Sequence, residues 1–188
     1  MKTLILKGSP RINGDSMTLV NEITKHLIGE VIIIDTYNSG ISHCKDCRSC
    51  WTKRGCVIED DMQGVYKLLE EVDNVILASP IHFDELSGGV FNFASRLQAY
   101  YTSKNFRKDD ECEIKMKNGV LVLSAGDEVG DLEGRAFRTA NIIFRFMRVK
   151  LMGRVMSMKT NEIPAYKDLA ALEAAKEIAL KLNELYLG

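Results

Sequence analysis

Short apolar runs of strand character alternate with stretches of helical periodicity along the whole chain, and this alternation restricts the fold more than any other feature. The runs fall at 3–6, 31–35, 74–78 and 119–124, with a weaker one at 151–158. Each is nearly continuous in apolar residues, as strands covered on both faces should be. Between them, 18–28 carries Leu19, Ile23 and Leu27 at helical spacing, and 62–72 carries Val65, Leu68, Leu69 and Val72. Further helices are expected over 89–101, 132–147 and 169–187. Units of this kind imply an α/β fold in three layers, a doubly wound sheet of five parallel strands in the order 2-1-3-4-5. The 188 residues, 46% of them hydrophobic, suffice for one such core, so a single domain over 1–188 is expected.

A sheet of this flavodoxin-like kind binds ligands at the carboxyl ends of its strands, beside the point where the strand order reverses. Three loops meet there: 8–16 after the first strand, 79–88 after the third and 124–130 after the fourth. Charge narrows the ligand. Twenty-five basic residues balance twenty-six acidic ones, with a net charge of −1 and no long run of either sign, so neither nucleic acid nor a membrane surface is expected as partner. The N-terminal apolar stretch, Leu4-Ile5-Leu6, is far shorter than a signal core or the roughly 20 residues that span a bilayer. A cytoplasmic protein with a small-molecule partner is the expectation.

The loop Gly8-Ser9-Pro10-Arg11-Ile12-Asn13-Gly14-Asp15-Ser16-Met17-Thr18 links the first strand to the first helix. Backbone N–H groups and the positive end of a helix dipole favour an anion at such a junction, and Ser9, Arg11, Ser16 and Thr18 add donors suited to a phosphate monoester. The glycine spacing, followed by Asp-Ser where a Walker A loop has Lys-Ser/Thr, disfavours a nucleoside triphosphate, and no G-x-G-x-x-G is present.

Cys44, Cys47, Cys50 and Cys56 lie within thirteen residues, spaced C-x2-C-x2-C-x5-C, in a cysteine-rich loop at about 40–60. Thiolates this close repel one another unless a cation makes the crowding favourable. The compact run is nearer to those that hold a [4Fe-4S] cluster than to paired zinc knuckles, and free or redox-active thiols stand as the third reading. Lys45, Arg48, Lys53 and Arg54 would offset a cluster's negative charge or depress the thiol pKa values. Trp51 is placed to cover one face of a cluster, His43 adjoins Cys44, and Cys112 stands alone between charges.

The string KGSPRINGDSMTLV resembles the N-terminal signature of the flavodoxin-like NAD(P)H-dependent FMN reductases and their iron-sulfur flavoprotein relatives. The cysteine segment followed by Glu59-Asp60-Asp61-Met62, and Ala78-Ser79-Pro80-Ile81-His82-Phe83, resemble that group too, whereas Phe91 and Ser95 stand where it often has other residues and Arg96 agrees. The resemblance implies bound FMN. Its phosphate would lie on Ser9, Arg11, Ser16 and Thr18, with Asn13 and Met17 in the same turn. Its ring would border Pro80, Ile81, His82 and Phe83 and approach Ser124 and Gly126, while the four cysteines would ligate a cluster. It also implies electrons taken from NAD(P)H or a ferredoxin-type protein and passed to a small acceptor, in a homodimer or homotetramer with the aromatic-rich stretch after Arg135 at an interface. The other class kept open is a non-catalytic electron carrier or redox sensor with free or zinc-bound cysteines.

Overall fold

The structure, a computed structural model, describes residues 1–128 and 134–188. Five strands run parallel: β1 (Lys2–Lys7), β2 (Glu30–Asp35), β3 (Asn74–His82), β5 (Lys117–Ser124) and β6 (Val149–Ser157). Their order is β2-β1-β3-β5-β6, with a two-residue strand β4 (Glu85–Leu86) paired antiparallel to the end of β3. With β4 set aside, this is the expected 2-1-3-4-5 flavodoxin-like sheet, whose order reverses between β1 and β3.

Successive side chains of a strand point to opposite faces, so each inner strand feeds two cores. Leu4 and Leu6 of β1, Val75 and Leu77 of β3, and Leu121 and Leu123 of β5 belong to one core. It is covered by α2 (Met62–Glu71), α3 (Gly88–Ser95), α4 (Gln98–Thr102) and α5 (Arg135–Phe146). Ile5, Ile76, Ala78, Val120 and Val122 belong to the other, beneath α1 (Asp15–His26) and α6 (Leu169–Leu187). The edge strand β2 stays partly open, with Ile33 48% exposed. None of the described helices is long and apolar enough to cross a membrane.

The differences from the sequence reading are local. The helix expected over 89–101 is two helices, broken at Arg96 and Leu97. β3 runs four residues further than expected, to His82, and turns through Phe83 (φ 53°) and Asp84 (φ 60°) into β4. Two consecutive left-handed residues are the signature of a type I′ hairpin, so the expected loop 79–88 is mostly a β-ribbon. The helix expected over 132–147 is observed as α5 from Arg135 to Phe146; residues 129–133, which include the start of the expected helix, lie outside the described residues.

Lys117, at the start of β5, is 1% exposed, and its ammonium donates to the carbonyls of Lys115 (2.6 Å) and Met147 (3.0 Å). Burial, with Lys115 and Arg148 as like-charged neighbours, pushes its pKa down to about 8. The unfolded chain, with lysine near about 10.4, binds more protons between those values, so this residue makes stability rise with pH across that window. Urea denaturation at pH 8 and pH 10 should show wild type gaining stability relative to Lys117→Met, and a pH-independent difference would contradict the assigned shift.

Candidate functional site

At the carboxyl end of the sheet the loops after β1, β3, β5 and β6 enclose a cavity of about 420 Å³. The β1 loop lies close against β3. The Gly8 N–H donates to the Ala78 carbonyl at 2.7 Å, and a Cβ on Gly8 would fall 2.4 Å from Val90 Cγ2, so only glycine fits. The Ser87 hydroxyl donates to the Gly8 carbonyl at 2.5 Å, and the Ser87 N–H donates to Ser79 Oγ at 2.9 Å. These bonds tie the first loop to the β3–β4 ribbon.

Gly14 precedes α1 and offers no side-chain cap, so the first-turn N–H groups keep the capacity to meet an anion. Asp15, whose charge would oppose that anion, also lines the cavity, and its Oδ1 accepts from the Ala165 N–H at 2.9 Å. Ser9 and Ser16 line the cavity at 4% and 1% exposure. Arg11 lines it from the exposed side, and its N–H donates to Ser9 Oγ at 3.2 Å.

Pro80, Ile81, His82, Ser124 and Gly126 form the opposite wall, so eight of the twelve residues expected at the cofactor are gathered in one cavity. The other four are placed differently. Met17 is 6% exposed and packs in the α1–α6 core, and the Thr18 hydroxyl donates back to the Gly14 carbonyl at 3.3 Å. Asn13 is exposed outside the cavity lining, and Phe83 projects from the hairpin tip at 97% exposure. The described part of the loop 124–130 ends at Glu128.

Two lining residues escaped the sequence reading. Thr160 and Asn161 follow β6, the Thr160 N–H and hydroxyl donate to the Ala125 carbonyl (2.9 and 3.1 Å), and the Asn161 N–H donates to the Gly126 carbonyl at 3.1 Å. No motif marks them.

All four cysteines line a second, smaller pocket of about 50 Å³, with Lys45, Arg48, Trp51 and Arg96 among its walls. Its loop is irregular, turning through left-handed Asp46 (φ 48°), Arg48 (φ 58°) and Gly55 (φ 76°). Cys47 is exposed, and hydrogen bonds from the Ser49 backbone and side chain hold its thiol below the ordinary range. Trp51 stacks on Phe106 at 4.3 Å between centroids, with Arg48 5.0 Å above its ring. His43 is exposed and is not part of the lining. Among the described residues no group of three or more His, Cys, Asp or Glu converges on a single ion position.

Two arginines hold this loop. Arg96, its side chain fully buried, donates to Asp60 Oδ2 (2.6 Å) and to the carbonyls of Ser42 (2.9 Å) and Ile58 (3.3 Å). Burial raises the Asp60 pKa, but Arg96 and the Ser42 and Met62 N–H groups outweigh it and hold the carboxyl below its usual range. Arg107 donates to the Cys50 carbonyl and pairs with Asp109 and Glu111, while Glu111 accepts from the Gly55 N–H at 2.7 Å.

The family model for NADPH-dependent FMN reductases matches residues 1–155. The chain belongs to that family. An iron-sulfur flavoprotein of Archaeoglobus fulgidus is 33% identical over 103 residues, 53% of this chain and 47% of that one, so the match spans about half of that relative's length. One from Methanosarcina thermophila is 24% identical over 194 residues, covering 98% of this chain and 95% of that one. The solved structure of an FMN-dependent NADH-azoreductase from Bacillus anthracis, in complex with FMN, superposes with a TM-score of 0.68 at 12% identity, covering 97% of this chain and 99% of that one. At that identity the last likeness is one of fold.

Asp60→Asn would leave the buried Arg96 guanidinium without its counter-charge, which costs about 3–5 kcal/mol when one partner of a buried pair is removed. Denaturant melts should show a loss of that order, with thiol alkylation of the loop cysteines accelerated. An Asp60→Asn protein as stable as wild type would mean the pair contributes nothing.

Proposed function

We propose that the chain is an FMN-binding reductase that takes electrons from NAD(P)H or a reduced iron-sulfur protein and passes them to a small acceptor, its four loop cysteines holding a [4Fe-4S] cluster. The observation that carries the reading is the carboxyl-end cavity. It pairs a phosphate-like cradle at the start of α1 with a wall of small residues, Ser124 and Gly126, at a distance set by the sheet. Bound FMN would supply redox chemistry that the amino acids lack, accepting a hydride and releasing electrons singly.

The residues of the chain hold and orient it. The uncapped first turn of α1, with Ser9, Ser16 and Arg11, suits the phosphate of FMN because neutral N–H and O–H donors face it from the floor and one cation from the rim. Pro80 and Ile81 form the apolar border, and exposed His82 stands at the mouth, where an acceptor or nicotinamide would approach. A mononucleotide accords with the β1 loop better than a dinucleotide does, since the loop carries no G-x-G-x-x-G fingerprint.

A cluster would supply one-electron steps, and the residue types lining the pocket suit it: four cysteines, with the cations Lys45, Arg48 and buried Arg96 against the negative charge of a thiolate-bound assembly. A zinc ion would need its sulfurs drawn to about 2.3 Å from a single point. The second reading, redox-active thiols in a carrier or sensor, is favoured by exposed Cys47 with its lowered pKa. A homodimer or homotetramer accords with the apolar groove of Phe91, Tyr101 and Ile142, which are 43%, 38% and 54% exposed.

Purified anaerobically, the protein should show flavin bands and, by the cluster reading, about four iron and four labile sulfide per chain, lost in Cys50→Ser with flavin retained. Flavin without iron after reconstitution would leave the thiol reading. Arg11→Glu should weaken FMN binding at least about tenfold in a fluorescence-quench titration, the consequence of facing a phosphate with a carboxylate. Undiminished affinity would place the phosphate elsewhere.

A further inference from the structure

A cavity of about 510 Å³ lies apart from both sites, among the turns that precede β5 and β6 at the amino ends of these strands. Its volume falls within the range of small-ligand pockets. Four cations line it, Lys104, Lys108, Arg145 and Arg148, and none forms an ion pair or side-chain hydrogen bond with a described residue. The acids facing them are Asp109 and Glu113, and Asp109 is already engaged by Arg107 at 2.6 Å and by the Ser103 hydroxyl at 2.5 Å. The cavity is therefore electropositive.

Three aromatic residues line it as well, beside Asn105 and Cys112. Tyr101 and Phe146 meet edge to face at 5.8 Å, and Tyr100 lies beside them. Tyr100 is 3% exposed, yet its hydroxyl has no hydrogen-bond partner among the described residues. A buried hydroxyl without a partner is costly and calls for an explanation at the site where it lies. Lys108 (φ 54°) and Arg148 (φ 51°) both occupy left-handed turns, where asparagine or glycine would be less strained. The carbonyl ends of α5 and of the helical turn at Ser103–Arg107 account for basic residues nearby. They do not account for the aromatic wall between them or for the unpartnered tyrosine.

We propose that this cavity binds a small aromatic anion, its ring against Tyr101 and Phe146 and its carboxylate or phosphate among Lys104, Lys108, Arg145 and Arg148. The site is separate from the FMN cavity, with which it shares no lining residue, and it does not depend on what the cysteines hold. It adjoins the strap that holds the cysteine loop, because Asp109 lines the cavity and pairs with Arg107, which donates to the Cys50 carbonyl.

Calorimetric titration of the FMN-saturated protein with 1-naphthyl phosphate, 1-naphthoate, 1-naphthol and inorganic phosphate tests this. At least one of the two aromatic anions should bind saturably at one per chain, with 1-naphthol and phosphate at least about tenfold weaker because each lacks one half of the complementarity. The relative affinity of phosphate ester and carboxylate identifies the anionic group. Lys108→Glu and Arg145→Glu, both at exposed positions, should each weaken binding about tenfold or more while FMN content stays at wild-type level. Failure of both anions to bind, binding of 1-naphthol or phosphate as tight as theirs, or affinity unchanged in the two variants would overturn the proposal.

Discussion

A parallel strand covered on both faces has only its ends open to a ligand, and the place of the carboxyl-end cavity follows from that restriction. Leu4 and Leu6 pack into one core and Ile5 into the other, and the same alternation runs through β3 and β5. With both faces closed by helices, the carboxyl-end loops are left as the floor and walls of a cavity. The reversal of strand order between β1 and β3 opens the gap in which the α1 N-terminus stands. Close packing sets its shape, since Gly8 admits no side chain between Val90 and the Ala78 carbonyl.

The cysteine loop obeys a different physics. It contributes little to the apolar cores and is held chiefly by charge, through Arg96 with Asp60 below it and Arg107 with Glu111 and Asp109 beside it. Buried ion pairs of this kind add little net stability, but breaking one is costly, so they fix a conformation more than they strengthen a fold. A loop that has to present four thiols to one pocket gains from that rigidity.

Much of this was legible in the residues. Apolar runs marked all five parallel strands, most continuously the inner ones, because a strand buried on both faces cannot be polar on alternate positions. The loop from Gly8 to Ser16 was legible as an anion cradle from its glycines, hydroxyls and place before a helix. Met17 and Thr18 show where such reading stops. The helix begins at Asp15 rather than at 18, and this turns Met17 into the α1–α6 core and leads the Thr18 hydroxyl back to Gly14. Thr160 and Asn161 were illegible, since they are brought to the cavity chiefly by bonds from their backbone N–H groups to Ala125 and Gly126, and backbone bonds leave no mark on side-chain identity.

By itself the sequence determined the layer architecture, the strand order and the chemistry available at each loop, because hydrophobic periodicity and local turn chemistry are properties of neighbours along the chain. Tertiary structure alone decided which groups meet: Arg96 with Asp60, Arg107 with the Cys50 carbonyl, Asp15 with Ala165, and Lys104, Lys108, Arg145 and Arg148 with Tyr100 along one cavity. Each of these joins residues whose encounter depends on how helices cross the sheet. The energy of such an encounter comes from burial and desolvation, which exist only once the chain has folded.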